Sequence, residues 1–403
     1  MASCMHALAV EPGVSFREIA VMRGLTLRVV TNVADAASFW DTLAASAGGS
    51  VYQSRRFLEP WITHVAPTLG IVPRLGLVCD SAGAPIAFLP FGALRRGPLQ
   101  TIVYLGGRDA NLNMPLVAAG AMIPCEAVYG LLRDFAKTTS PRADVFVLTN
   151  NARHWKGERN PFAPNFATPS PSNAFGATLG NDAAAFLAAH DSRDARKKLR
   201  SKAARLATLG DVRVGRALPH EVATVVETLL AQKQKLFAGR GIDVGLDGAH
   251  VTAFLSDLAT RPVDAPALDL YVLRVGDTIT AVFGGLPHGA HWHGLITSYS
   301  MEPAIARCSP GDLLLRALVE DLVRRGMTSF DLGIGEARYK AALCDETVEL
   351  VDTIVPVTAL GRIYASAEKL RLRTKRQVKK TPWAMNAARR MQRFLARREP
   401  PSV

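Results

Sequence analysis

One order of elements occurs twice along the chain, and such a duplication leaves few folds open. Residues 77–90 read as an apolar strand, a polar turn through Asp80-Ser81-Ala82-Gly83 and a second apolar strand, and residues 271–283 repeat that layout with a turn at Gly276-Asp277. Downstream of each hairpin comes an amphipathic helix and then a short apolar strand. These are residues 125–137 followed by 145–148 in the first copy, and residues 312–325 followed by 330–332 in the second. The letters scarcely match; the order does. A length of 403 residues agrees, since it is too long for one ordinary core and suits two domains of roughly 150 to 200 residues.

Ahead of the first hairpin, residues 36–46 and 57–65 are expected as helices, with Ser54 as N-cap of the second and Trp40 and Trp61 on their apolar faces. Residues 151–178, rich in Pro, Asn and Ser, are expected to form a polar connection, and residues 182–209 a single helix. That helix carries Arg193, Arg196, Lys197, Lys198, Arg200, Lys202 and Arg205 on nearly all azimuths, which fits a solvated bridge or a surface for an anionic ligand.

Hydrophobic content of 48% with 21% charged residues fits a folded soluble protein, and no apolar stretch approaches the roughly 20 residues that span a bilayer. Residues 1–23 lack a basic start followed by a long apolar core, so a cytoplasmic location is expected. The five cysteines, Cys4, Cys79, Cys125, Cys308 and Cys344, are scattered, and reduced structural thiols are expected. The net charge is +13, and residues 369–398 contain twelve basic side chains and no acidic one. Excess charge therefore belongs to an appendage and gives little support to nucleic-acid binding by the fold. Trp383, Met385, Met391, Phe394 and Leu395 interleave with those cations, and such a tail can lie on an anionic membrane face, here the inner membrane, as an amphipathic helix.

Chemistry concentrates in the second copy. Ser309-Pro310-Gly311-Asp312-Leu313-Leu314 reads as a turn into a helix, and Phe330-Asp331-Leu332-Gly333-Ile334-Gly335-Glu336-Ala337-Arg338-Tyr339-Lys340 as a strand followed by a turn with ionisable side chains. A helix N-terminus offers unpaired N–H groups and a positive dipole end to an anion. Ser309 as N-cap, Pro310 at the first helical position and Asp312 in the first turn also suit a capped helix with no ligand. His288, His291 and His293 surround the turn of a hairpin, with 291 and 293 on one strand face; without an acidic or Cys ligand at useful spacing, no metal is expected.

The doubled order of helix pair, hairpin, helix and strand resembles the tandem GNAT acetyltransferase fold, specifically the CelD/BcsL-like acyltransferases of cellulose and exopolysaccharide biosynthesis. The resemblance is carried by Val51-Tyr52-Gln53-Ser54-Arg55-Arg56-Phe57-Leu58 with Trp61, Ile86-Ala87-Phe88-Leu89-Pro90, Leu105-Gly106-Gly107, Arg196-Lys197-Lys198-Leu199-Arg200, Ser309-Pro310-Gly311, Phe330-Asp331-Leu332-Gly333-Ile334-Gly335 and Tyr339-Lys340, within residues 25 to about 358. It implies an α+β chain of tandem GNAT-like domains, each a mixed, mostly antiparallel sheet flanked by helices. Residues 1–24 would be an extension, 25–178 a degenerate domain, 179–365 the acyltransferase domain and 366–403 a basic tail.

It further implies acyl-CoA as co-substrate, lying in a splay between two parallel strands with its pyrophosphate on the following helix N-terminus. Ser309, Gly311, Asp312, Leu313 and Leu314 would form that site. Tyr339 would protonate the leaving thiolate, Asp331, Glu336 or His293 would serve as base or acceptor-binding group, and Lys340 would bind an acceptor's carboxylate or phosphate. The GNAT loop pattern is incomplete, because counting back from Gly311 gives Ser309 and Ala306, with Arg307 one place out of register. In the first copy the family's acidic and tyrosine pattern is replaced by Asn111-Leu112-Asn113-Met114-Pro115, which marks that copy as structural. The acceptor implied is a sugar, nucleotide-sugar or polysaccharide-associated amine or hydroxyl. FemAB-like aminoacyl transfer from tRNA, which also uses a doubled GNAT fold, and a catalytically silent accessory protein stand as alternatives.

Overall fold

The computed structural model describes residues 24–46, 48–121, 123–238, 248–261 and 267–381. The expected extension before Gly24 and the interleaved segment from Trp383 to Leu395 lie outside them. In chain order the first elements are β1 (Thr26–Val30), α1 (Val33–Ser46), α2 (Arg55–His64), β2 (Ile71–Cys79), β3 (Pro85–Arg96), β4 (Leu99–Tyr104), β5 (Leu116–Val117), α3 (Cys125–Lys137) and β6 (Val145–Ala152). Four short strands follow: β7 (His154–Trp155), β8 (Glu158–Arg159), β9 (Thr168–Pro169) and β10 (Ala174–Thr178). Then come α4 (Ala183–His190), α5 (Arg193–Ala207), β11 (Val212–Arg216), α6 (Val222–Ala238), α7 (Ala249–Thr260), β12 (Asp269–Val275), β13 (Thr278–His288) and β14 (His291–Tyr299). The last are α8 (Pro303–Ala306), α9 (Pro310–Arg324), β15 (Ser329–Ile334), α10 (Arg338–Leu343), β16 (Glu346–Val348), β17 (Leu350–Pro356) and α11 (Ala359–Lys380).

Both expected hairpins form, as β2–β3 and β12–β13, each antiparallel. Two expectations fail. Residues 151–178 are not a bare connection, because they contribute β7 to β10. Residues 182–209 are not one helix: the chain breaks at Asp191-Ser192, where Ser192 adopts an extended backbone and its hydroxyl accepts the Ala195 N–H at 3.2 Å to start α5.

Two compact units divide the described residues. One holds the chain up to Ile62, Ala66–Ser170 and Glu349–Arg373; the other holds Thr63–Val65, Pro171–Val348 and the chain from Thr374. The first unit has a sheet ordered β1-β2-β3-β4-β6-β17-β9, with β5 on β3. The second has β11-β12-β13-β14-β15-β10-β16. Each sheet has one parallel neighbour pair, β4 with β6 and β14 with β15, and is otherwise antiparallel. The units are thus tandem α+β layers, and neither is a contiguous stretch. Strand β17, late in the chain, pairs with β6, while β10 pairs with β15 and β16.

Local causes are visible in both units. Ala36, Trp40 and Leu43 recur at helical spacing and are buried, and Trp40 stacks on Phe88 with ring centroids 4.3 Å apart. Strand β3 is buried continuously from Ala87 to Ala93, as a strand covered on both faces must be. In the second unit α9 buries Leu314, Leu315, Leu318, Val319 and Leu322, one helical stripe, in the same core as Phe330 and Leu332 of β15. Among the described residues, no helix is long and apolar enough to cross a membrane.

Candidate functional site

Strands β14 and β15 run parallel but pair only where His291, Trp292 and His293 face Ser329, Phe330 and Asp331. Beyond that point β14 continues to Tyr299 and β15 to Ile334 without a ladder between them. Gly294 sits where they part: a Cβ there would lie 2.9 Å from the Asp331 carbonyl oxygen and 3.2 Å from Leu332 Cα, so only glycine lets the strands come this close. The first residue past α8 and its turn into a new helix is Ser309, in the left-handed region at φ 52°, ψ 58°.

That conformation changes what Ser309 does. It occupies the N-cap position of α9, yet its hydroxyl makes no cap bond and instead meets the Lys202 ammonium at 2.7 Å. Its carbonyl accepts the N–H groups of Asp312 (3.0 Å) and Leu313 (3.2 Å). Helix geometry leaves the Gly311 N–H without an intrahelical acceptor, and Pro310 has none to offer. Of the backbone donors expected at Gly311, Asp312, Leu313 and Leu314, two are therefore already engaged, and Leu314 is buried in the helix body. A Cβ on Gly311 would meet only the Tyr299 ring, at 3.6 Å, so the position tolerates a side chain.

Lys202 belongs to α5 and was legible in the sequence only as one of seven cations. Its placement follows from the break at Asp191: the Asp191 carboxylate, buried, takes two bonds from the Arg316 guanidinium of α9, at 2.7 and 3.1 Å. On α5, Ala195, Leu199, Lys202 and Leu206 share the inward side, while Arg193, Arg196, Lys197, Lys198, Arg200 and Arg205 are exposed. The helix is thus docked along one face, and its remaining cations form a solvated rim.

The parallel register brings three ionisable side chains together. Asp331 Oδ2 lies 2.6 Å from His293 Nδ1 and 3.1 Å from His291 Nε2, and Asp331 Oδ1 accepts the Gly333 N–H at 2.9 Å. A carboxylate only accepts, so both imidazoles donate to it; His293 then carries its lone pair on Nε2 and His291 on Nδ1, where the Ser329 hydroxyl lies at 2.7 Å. Burial alone would raise the Asp331 carboxyl. The hydrogen bonds from both histidines, together with the attraction of the His293 ring whenever it is protonated, outweigh burial and hold it well below the usual carboxylate range. The donor atoms of this His2Asp group lie within 4.8 Å of one another, close enough for a divalent ion, yet the hydrogen bonds among them account for the arrangement by themselves.

The remaining candidates separate. Tyr339 packs against the core at the start of α10, and burial, then Cys344 and Tyr299, push its hydroxyl up to about 12, so it keeps its proton at neutral pH. Lys340 is only 5% exposed and points inward, its ammonium donating to the carbonyls of Gly333 (2.9 Å) and Ile334 (2.8 Å). It clamps the end of β15, and binding an acceptor through it would require those bonds to open. Burial lowers the Lys340 amine to about 8, with Asp331 opposing. Glu336 is exposed and accepts from the Ser172 hydroxyl (3.2 Å), which itself meets the Lys379 ammonium at 2.7 Å. Cys344 is pushed up to about 12 by burial and Cys308 is fully buried, so neither thiol is poised as a nucleophile.

Residues 193–341 match the family model of an acetyltransferase (GNAT) domain. The match spans α5, the parallel pair, the α9 N-terminus and the His2Asp group, so the second unit carries a GNAT-type acetyltransferase domain. Solved structures share the wider fold. A conserved protein of unknown function from Bacteroides thetaiotaomicron VPI-5482 is 11% identical, with a TM-score of 0.51 over 82% of this chain and 100% of its own. FemX is 10% identical with a TM-score of 0.52, over 84% of this chain and 100% of its own. The C-terminal DUF2156 domain of a protein from Agrobacterium fabrum described as a lysylphosphatidylglycerol synthetase is 12% identical with a TM-score of 0.50, over 85% of this chain and 96% of its own. At these identities the likeness is one of fold. No curated protein matches the sequence.

Proposed function

We propose that the chain is an acyl-CoA-dependent acyltransferase of the CelD/BcsL-like type, moving an acetyl or similar group to the amine or hydroxyl of a sugar, nucleotide-sugar or polysaccharide-associated acceptor. The observation that carries this reading is the parallel pair β14–β15, which parts after His293 and Asp331 on the approach to the α9 N-terminus. The residues present suit the anionic end of acyl-CoA: the Lys202 ammonium and the Gly311 N–H converge on that helix terminus, and Lys202 supplies from α5 the cation that the loop itself lacks at Ala306. The Asp312 carboxylate, in the first turn, must face away from it.

Acyl-CoA, when bound, supplies an activated thioester carbonyl. Tyr339, protonated at neutral pH, is the donor for the departing thiolate. His293 is the base, with Asp331 fixing its tautomer through Nδ1 and stabilising the imidazolium that forms when Nε2 takes the acceptor's proton. Glu336, exposed at the next turn, is the alternative base. The reading is tested by calorimetry and a thermal shift with acetyl-CoA: saturable binding with a raised Tm is expected, and no heat and no shift would remove it.

A second reading, FemAB-like aminoacyl transfer from tRNA, is favoured by one observation, the exposed rim of Arg193, Arg196, Lys197, Lys198, Arg200 and Arg205 on α5, which suits a phosphate backbone. Salt-dependent binding of tRNA in the absence of any acetyl-CoA response would select it. A catalytically silent accessory protein would show neither.

A further inference from the structure

Helix α11 is held by one face and leaves the opposite one apolar. Its inner side packs Ala365 and Leu372 against Val145, Val147 and Ile354 of the first unit, and Gly361 lies so close that a Cβ would be 2.0 Å from the Asp144 carbonyl oxygen. Glu368, the helix's single acidic residue, is buried and paired with Arg371. On the far side Ile363 is 71% exposed and Leu370 66%, the two highest values among the large exposed hydrophobics, with Leu360 at 42%. Ile363, Ala367 and Leu370 fall at i, i+4 and i+7, so they form one ridge along the helix. By the same periodicity Arg362, Lys369 and Arg373 flank the ridge on one side and Arg371 and Lys375 on the other.

A helix packed on its own domain ordinarily turns its polar face outward. Here the outward face has an apolar crest between two cationic rims, with no exposed carboxylate among residues 359–380.

We propose that this face of α11 docks on an anionic lipid surface, the crest of Ile363, Ala367 and Leu370 inserting among the acyl-chain ends and the flanking Lys and Arg side chains reaching headgroup phosphates. Charge selects the occupant: every exposed charge on α11 is positive, which suits phosphate-bearing lipid. The crest is a single row, far short of the roughly 800 Å² per partner that a stable protein interface covers, whereas shallow insertion beside basic residues needs only a few apolar side chains. Long basic side chains on either side can bury their stems and keep their charges in the headgroup layer. These determinants lie ahead of the tail segment from Trp383 to Leu395 and differ from it. The proposal is independent of acyl transfer, which is read by acetyl-CoA binding in solution.

The test is co-sedimentation of the full chain with vesicles of phosphatidylglycerol and phosphatidylcholine, and with phosphatidylcholine alone, at low salt. Wild type is expected to bind the anionic vesicles alone. The double variant Ile363→Asp/Leu370→Asp, and separately Arg362→Gln/Arg373→Gln, are expected to bind them at least about tenfold more weakly with unchanged Tm, since all four side chains are exposed. Full binding by the Asp variant would place the membrane contact elsewhere and overturn the proposal, as would absence of binding by wild type. A wild type that is dimeric in light scattering, becomes monomeric in the Asp variant and binds no vesicles would assign the face to a second copy, again overturning it.

Discussion

The two sheets use one backbone device and finish it differently. In the second unit β14 and β15 part after His293 and Asp331, and Lys340 takes the carbonyls of Gly333 and Ile334 near the end of β15. In the first unit β4 and β6 pair in parallel over Thr101–Val103 and Val145–Val147, after which the main chain returns at Asn113 and bridges to Asn151. There the Asn113 N–H donates to the Asn150 carbonyl at 2.8 Å, the Tyr104 hydroxyl to Asn151 Oδ1 at 2.9 Å, and the Asn113 amide to the Thr149 carbonyl at 3.0 Å. Neutral amides and a phenol can satisfy one another at any ordinary pH. In the other sheet the parallel pair itself carries two imidazoles and a carboxylate, and an ammonium sits on the carbonyls of β15 just past it. One copy of the device is closed by a backbone bridge and neutral hydrogen bonds, and the other carries ionisable side chains.

The largest expected effect sharpens the chemical side of that contrast. Tyr339→Phe should lower turnover about ten- to a thousandfold with little change in acetyl-CoA affinity, because in the proposed mechanism the hydroxyl is used only in the chemical step while the ring keeps the packing. Unchanged turnover in steady-state assays would return Tyr339 to a packing role. Next, Asn151→Asp carries the ionic solution into the wrong unit. Asn151 is fully buried against the Tyr104 hydroxyl and the Leu148 carbonyl, so a carboxylate there should cost about 3 kcal/mol at neutral pH. Burial would raise its pKa above the unfolded value of about 3.9, so the penalty shrinks as pH falls through the folded value and is gone below the unfolded one. A loss equally large at pH 3 in denaturant titrations would show a steric cause instead.

These contrasts were only partly legible in the sequence. The hairpins and flanking helices were, because alternation and helical periodicity are local, and His291 and His293 could be placed on one strand face by the same rule. Asp331 could be suspected as a base but not joined to them, since the contact depends on a parallel register set by residues far apart. Lys202 was hidden for a related reason: its position depends on the break at Asp191-Ser192 and the Arg316 pairing, whereas the run from 182 to 209 reads as unbroken helix. The exchange of β10 and β17 left no local trace, because each is an ordinary short strand whose partner is chosen by the tertiary fold.

Two smaller effects probe the second splay itself. Gly311→Glu should weaken acetyl-CoA binding at least about tenfold in calorimetry without unfolding the chain, as a carboxylate beside the Gly311 N–H opposes another anion. Equal affinity would discard this helix terminus as the anion site. Lys340→Met tests the clamp through its pH slope. Lys340 is lowered to about 8 against roughly 10.4 in an unfolded chain, so between those values the unfolded state binds more protons and wild-type stability rises with pH. The Tm should climb a few degrees from about pH 8 to pH 10 in wild type and stay flat in the variant; parallel curves would show that Lys340 titrates no differently on folding.

The exchanged strands bear on how the chain is made. A ribosome delivers residues in order, and β6 emerges long before β17, which is its neighbour in the finished sheet. Until residue 356 has cleared the exit tunnel, β6 presents an open strand edge, and the entire second unit as far as β16 must be synthesised during that wait. Neither half of the gene therefore encodes a half of the protein. A fragment ending near residue 178 would keep the β6 edge bare and carry β10 without β15, so separate expression of the halves invites aggregation where two independent domains would have permitted it.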